Sequence, residues 1–319
     1  MLSPKWRDVW QRGKPWRHIV QRQATTHLQR YMKGERLDDF FESLMEDRNH
    51  NPINLELGEI VAEVRGLINA GADTTSIALT NVLELLLHSP KSLQTLREEI
   101  DEVLDKNKVI ALYDKVKNLP FLKTCINKGL HISPPVSAGL LRHTPPEGAE
   151  ILNQFIPGNM TVYITIYGTH WDPEVFPNPD EYWPERWLDL EERKQMETYF
   201  IPFSAGSRGC LGRNISYLEQ IIVLASIVHR YEIALPSPDF QLVHQEAFNL
   251  LVGELPLKVW YRKLPNWYHH YLDLSVNARS PFGRTYATIR TWTWKKMPHK
   301  ASYQSITSRL SFYRPHLCI

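Results

Sequence analysis

The sequence predicts a mainly helical fold with small β-sheets. Three observations carry that expectation. A proline-free stretch at residues 55–88 keeps its apolar side chains at helical spacing. Shorter stretches at 92–104, 121–131 and 214–229 show the same period. Between them lie brief apolar pieces at 136–142, 151–155, 160–166, 240–243, 248–252 and 257–260, punctuated by Pro, Gly and Asn, which is the pattern of short strands.

Length and composition bound the rest. The chain has 319 residues, room for one large domain or two ordinary ones, and 43% of them are hydrophobic, enough for a sizeable core. A formal net charge of +2 favours no partner by itself. The three cysteines, Cys125, Cys210 and Cys318, lie too far apart for a disulfide framework or a paired zinc spacing, and a reducing compartment fits them. No apolar run approaches the ~20 residues of a membrane-spanning helix, and the basic, Trp-containing N-terminus has no apolar signal core.

Taken in order, residues 1–54 form a polar helical lead-in, with one short amphipathic helix at 38–45 and a loop at 49–52. The helix at 55–88 presents Ile60, Val61, Val64, Leu67 and Ile68, then Leu79, Val82, Leu83 and Leu86, and Pro90 marks its end. At 1.5 Å per residue it would be ~50 Å long, enough to cross a domain. Its middle reads Ala70-Gly71-Ala72-Asp73-Thr74-Thr75. A helix-interior Gly costs ~1 kcal/mol relative to Ala, so a purely structural helix would avoid Gly71. Threonine hydroxyls bond back one turn and bend helices, so a carboxylate and a hydroxyl here make a polar notch in an apolar wall. The alternative is a plain Asp-Thr pair in a core helix. Further on, 92–104 has Leu93, Leu96, Ile100 and Val103 on one face and acids on the other, a solvated side. The stretch 172–187 is a proline-rich meander that ends Pro184-Glu185-Arg186-Trp187.

The most informative ten residues run from 203 to 212: Phe203-Ser204-Ala205-Gly206-Ser207-Arg208-Gly209-Cys210-Leu211-Gly212. One cysteine sits in a glycine-rich loop just before a helical pattern. Free N–H groups and the helix dipole there stabilise a thiolate, which suits a nucleophile and a metal ligand equally.

Phe-x-x-Gly-x-Arg-x-Cys-x-Gly resembles the haem-ligand signature of the cytochrome P450 family. The central-helix motif resembles that family's oxygen-activating motif. The resemblance covers about residues 39–261 and implies the C-terminal part of the P450 fold, with the long helix over a haem and the cysteine loop before the last long helix. It implies iron protoporphyrin IX held by the Cys210 thiolate, whose electron donation favours O–O cleavage. It further implies that Phe203 packs beside the sulfur, Gly206 allows the tight turn, Gly212 lets the helix approach the porphyrin, and Arg208 and Arg142 pair with propionates. Thr74 and Asp73 become the catalytic proton-handling pair. Ala70, Gly71, Val136, Leu140 and Leu251 become substrate contacts, with Leu250 and Leu251 in a turn at the pocket. The alternative for Arg142 is an ordinary surface strand arginine.

The implied activity is a monooxygenase reaction on a small apolar molecule, with electrons from an NADPH-dependent flavoprotein reductase. The phrases Thr144-Pro145-Pro146-Glu147-Gly148-Ala149 and Tyr217-Leu218-Glu219-Gln220 resemble filamentous-fungal members of secondary metabolism. Residues 55–263 would be the haem-binding core, incomplete because the family's earlier helices have no counterpart here, in a cytoplasmic chain or one peripheral to the endoplasmic reticulum without the family's anchor. No nucleic-acid partner is expected.

The resemblance breaks in two places. The helix at 121–131 should carry Glu-x-x-Arg, which in the family forms a buried ionic triad with the meander arginine. Here the positions hold Lys128-Gly129-Leu130-His131. Lys128 then faces Arg186 as a like charge, and breaking a buried pair costs about 3–5 kcal/mol. Lys128 bonding Glu185 or a carbonyl, with a neutral His131 bonding the meander backbone, would offset this. The competing expectation is a truncated, non-catalytic relic. Second, residues 264–319 hold eight Lys/Arg against one acid, Asp273, with Trp267, Trp292 and Trp294 interleaved. A poorly ordered basic tail is the expectation; a nucleic-acid or membrane-surface segment, or out-of-frame or unspliced sequence, are the alternatives.

Overall fold

The computed structural model describes residues 13–105 and 108–262 in full, and the backbone of 270–278 and 285–293. These residues fall into two compact units, those up to Asp73 in the first and those from Thr74 to Tyr261 in the second.

The first unit opens with helix α1 (Lys14–Met32), inside the stretch expected as a helical lead-in but longer than the one short helix placed there. Val20, Ala24 and His27 are buried on its inward face, with Trp16, Leu28 and Tyr31 half-buried beside them. They meet Leu37, Phe41 and Met45, the last on the short α2 (Glu42–Met45), and Ile60 and Val64 from the long helix α3 (Leu57–His88). Polar residues pin the connecting loop, where the Tyr31 hydroxyl donates to Glu46 Oε1 at 2.6 Å.

In the second unit the later part of α3 carries the buried residues Ala78, Val82 and Leu86. Helices α4 (Pro90–Val103), α6 (Pro120–Ile132) and α9 (Arg213–Arg230) pack on one another, with the one-turn α5 (Tyr113–Val116) against α9. Leu96, Ile100, Leu122, Ile126 and Leu224 are fully buried from these helices. Gly129 on α6 has a packing reason: a Cβ there would collide with the Val82 side chain, so the glycine lets α6 close on α3. The ~1 kcal/mol helix penalty of glycine is the lesser term against that clash.

The strands differ from expectation in detail. Of the piece 136–142 only its end is a strand, β1 (Arg142–His143), paired antiparallel with β4 (Thr161–Val162). The piece 151–155 is instead a hairpin, β2 (Ala149–Ile151) with β3 (Gln154–Ile156). Leu152 and Asn153 turn it with φ of 49° and 60°. Ile166 closes no strand; it starts helix α7 (Ile166–His170). The meander then folds over Phe176, Trp187 and Met196, with a 3-10 turn (Pro184–Trp187) and α8 (Leu190–Glu197).

After α9, β5 (Tyr231–Ala234) pairs antiparallel with β8 (Leu255–Tyr261), and β6 (His244–Glu246) with β7 (Leu250–Val252). Residues 240–243 lie just before β6 rather than in a strand. Within the stretch expected as a tail, β9 (His270–Ala278) pairs with β8, and β10 (Thr285–Thr293) follows beside it. The rest of that stretch lies outside the described residues. Among the described residues no helix is long and apolar enough to cross a membrane.

Candidate functional site

The cysteine loop is built by backbone geometry. Ser204 and Gly206 take left-handed φ values of 59° and 68°, so the chain reverses before a 3-10 turn at Gly206–Arg208. The Cys210 amide donates to the Phe203 carbonyl at 2.9 Å, closing the loop. Cys210 is exposed, and α9 starts three residues later with Gly212 at its cap. Its sulfur lies 3.9 Å from where a Cβ on Gly212 would sit, so the sulfur stays close to the mouth of the helix. Phe203 packs on Tyr217 with ring centroids 5.2 Å apart. Cys125, by contrast, is buried on α6, and burial pushes its thiol pKa upward, away from reactivity.

The other predicted residues are placed as follows. Arg208 is exposed on the 3-10 turn. Arg142 is exposed on β1, with its guanidinium folded back onto the carbonyls of Leu141 (3.0 Å) and Leu140 (3.3 Å). Val136 and Leu140 line a depression of about 310 Å³ together with Leu141 and Phe248. Leu250 and Leu251 are not in a turn: they belong to strand β7, and the Leu250 amide donates to the Pro135 carbonyl at 2.8 Å. Among the described residues it is Ala247 and Phe248, not Leu251, that reach the depression from this hairpin. The strand pairing fixes Leu251 away from the hairpin's tip, where Phe248 stands 73% exposed.

On α3 the helix runs unbroken through the expected notch. Ala70, Gly71 and Asp73 belong to the first unit and Thr74 to the second. Ala70 and Gly71 are exposed, and a Cβ on Gly71 would meet nothing within 4 Å. The neighbouring Thr75 is buried, and its hydroxyl lies 3.0 Å from the Ser216 hydroxyl on α9. Gln220 donates to the same Ser216 oxygen at 3.1 Å. This polar link between the central helix and the helix after the cysteine was not foreseen. Its sequence signal is Ser216 one turn into the helix with Gln220 four residues later on the same face.

The whole run 5–260 matches the cytochrome P450 family model. The chain belongs to the cytochrome P450 family. It is 35% identical over 202 residues to cytochrome P450 monooxygenase 1 of Neocamarosporium betae, covering 63% of this chain and 40% of that relative. It is 32% identical over 234 residues to cytochrome P450 monooxygenase nodW of Hypoxylon pulicicidum, covering 70% and 43%. The match to cytochrome P450 monooxygenase cicH of Emericella nidulans is 38% over 176 residues, covering 54% and 35%. A crystal structure of a cytochrome P450 shares the fold with a TM-score of 0.60 at 24% identity, over 68% of this chain and 48% of that one. The chain therefore spans roughly two-fifths of the length of these curated relatives.

Membership in the P450 family implies haem, and the residues present fit one. An exposed thiol at a helix mouth would give iron a soft sulfur ligand. Two exposed arginines offer guanidinium forks for carboxylates. A Cβ on Gly206 would meet nothing within 4 Å, which leaves bare backbone for a flat ring.

Where the P450 triad would stand, this chain has a different buried arrangement. Lys128 and His131 are 0% exposed and Arg186 2%. Lys128 Nζ donates to the Pro179 carbonyl at 2.9 Å and meets His131 Nδ1 at 3.1 Å. Arg186 donates to the Pro177 carbonyl at 2.5 Å and the Asn178 carbonyl at 3.4 Å, and stacks 4.9 Å over Trp183. Of the expected offsets, the carbonyl bond to Lys128 forms. His131 does not reach the meander backbone; its side chain meets Lys128, and Nε2 has no partner among the described residues. Burial, and then the Arg186 charge, bring the Lys128 pKa down to about 7. Burial and then Lys128 bring His131 down to about 2, so it is neutral.

Proposed function

We propose that this chain carries the haem-thiolate centre of a fungal monooxygenase that inserts one oxygen atom from O₂ into a small apolar molecule in secondary-metabolite biosynthesis. The observation that carries this reading is Cys210: an exposed thiol, tied by its amide to Phe203, at the mouth of α9. Haem, when bound, supplies O₂ reduction and O–O cleavage favoured by thiolate donation.

The chain's own residues divide the remaining work. Cys210 holds the iron. Arg208 and Arg142 hold the carboxylates, Arg142 after turning away from its own carbonyls. Phe203, Gly206 and Gly212 set the sulfur's position and leave the ring room. The Asp73 carboxylate and the Thr74 Oγ1 hold and pass protons, while Ala70 and Gly71 leave space beside them. Val136 and Leu140 give an apolar wall that excludes water and orients a C–H or C=C bond. The balance is one substrate bond, O₂, two electrons and two protons giving the oxygenated product and water. The electrons come from an NADPH-dependent flavoprotein reductase.

A second reading, a folded but non-catalytic relative, is favoured by the Lys128 and His131 departure, which buries Lys128 beside Arg186. A reduced, carbon-monoxide-treated sample of the haem-reconstituted chain decides. A thiolate-type Soret band near one haem per chain, lost in Cys210→Ala, is the expected result. A band unchanged in Cys210→Ala would sink the thiolate assignment, and no band at all would favour the second reading.

A further inference from the structure

Lys128 reads as a lesion if side-chain charges alone are paired. Its surroundings show otherwise. Three consecutive carbonyls, those of Pro177, Asn178 and Pro179, receive the two buried cations Arg186 and Lys128. Asn178 takes a left-handed φ of 49° between two prolines, and this turn aims the three oxygens inward. Among the described residues their hydrogen-bond partners on the meander are therefore main chain, while Asp180, Glu181 and Glu192 act on them only through charge.

The clamp connects to the cysteine loop through a line of hydrogen bonds. His131, beside Lys128, stacks on His170 with centroids 5.5 Å apart, and the His170 ring bonds the His131 carbonyl through Nδ1 at 3.2 Å. That bond puts the His170 proton on Nδ1 and leaves Nε2 to accept. Nε2 accepts the Ile201 amide at 3.0 Å. Ile201 stands two residues before Phe203, whose carbonyl receives the Cys210 amide. All of these groups lie in one compact unit.

We propose that Lys128 is a positioning residue: with Arg186 it grips the carbonyls of Pro177, Asn178 and Pro179, and through His131 and His170 that grip fixes the segment at Ile201 that enters the cysteine loop. Its consequence for catalysis rests on the thiolate reading of Cys210; the positioning itself does not.

Hydrogen–deuterium exchange on the full 319-residue chain tests it, comparing peptides across 199–212 with peptides across α4. In Lys128→Met, exchange across 199–212 is expected to quicken about tenfold or more while α4 keeps its parental rate. Lys128→Arg, which retains a cationic donor, is expected to keep the parental pattern. Equal quickening in both regions, or none across 199–212, overturns the proposal. If Lys128→Met does not fold, His170→Phe decides, since it leaves the clamp and removes the acceptor of the Ile201 amide. Quickening confined to 199–212 then supports the proposal, and parental exchange overturns it. Haem uptake is a separate reading: a Cys210→Ala chain that binds haem like the parent would defeat the thiolate assignment and leave the exchange result standing.

Discussion

The cysteine loop and the meander clamp are held in opposite ways. In the loop, main-chain turns at Ser204 and Gly206 do the shaping, and the chemically active side chains Arg208 and Cys210 are exposed. In the clamp, side chains are sealed inside and the main chain is their partner. The difference teaches where change is tolerated. An exposed site loses chemistry when altered but little stability, whereas a sealed one loses stability first.

Four substitutions sharpen or break that contrast, each read by urea unfolding. Arg186→Ala should cost the most, about 3 kcal/mol, because it unpairs two meander carbonyls and leaves a cavity beside Trp183. A loss below about 1 kcal/mol would mean the clamp is no tighter than the loop. Gly129→Ala comes next. Helix propensity alone predicts a gain of ~1 kcal/mol, but the clash with Val82 predicts a loss of ~1–3 kcal/mol. Adding Val82→Ala should relieve part of that loss; a stabilised single variant would refute the close approach of α6 and α3. Ser216→Ala removes the shared partner of Thr75 and Gln220 and should cost about 1 kcal/mol. Cys210→Ser should change stability by less than about 0.5 kcal/mol, since the thiol is exposed. A larger loss would place the sulfur in a packing role.

The clamp also predicts a pH signature. Lys128 has its folded pKa lowered from 10.5 to about 7. Between those values the unfolded chain binds the proton more tightly than the folded one. Stability therefore rises with pH across this window, and below the folded pKa the full penalty remains. Subtracting the same titration of Lys128→Met removes the tyrosine and cysteine contributions. The parent should show the steeper rise, and parallel curves would contradict a buried, depressed lysine.

Legibility in the sequence followed the range of the interactions. The long helix, the helices around it and the cysteine turn are set by neighbours a few residues apart, and they were readable as such. Helix α1 was expected only as part of a helical lead-in and its bounds were not read, because its inward face mixes Trp16, Val20, Ala24, His27, Leu28 and Tyr31 with a majority of polar residues and has few aliphatic side chains. The hairpin at Leu152-Asn153 was missed because leucine rarely takes a left-handed φ, so Asn153 was left as a lone turn signal inside an apolar piece. The Leu251 placement failed for a similar reason: where the β6–β7 pairing begins decides which residue reaches the tip. Lys128 was legible as a departure but not in its consequence. Reading charges against charges overlooks carbonyls, which carry no letter of their own.

That last point bears on how such a knot survives sequence drift. An acidic partner disappears with one codon. An acceptor made of backbone oxygen persists whatever amino acid occupies 177–179, provided the chain keeps its course. The vulnerable point is then not any charged residue of the meander but Asn178, whose φ of 49° a β-branched replacement would resist.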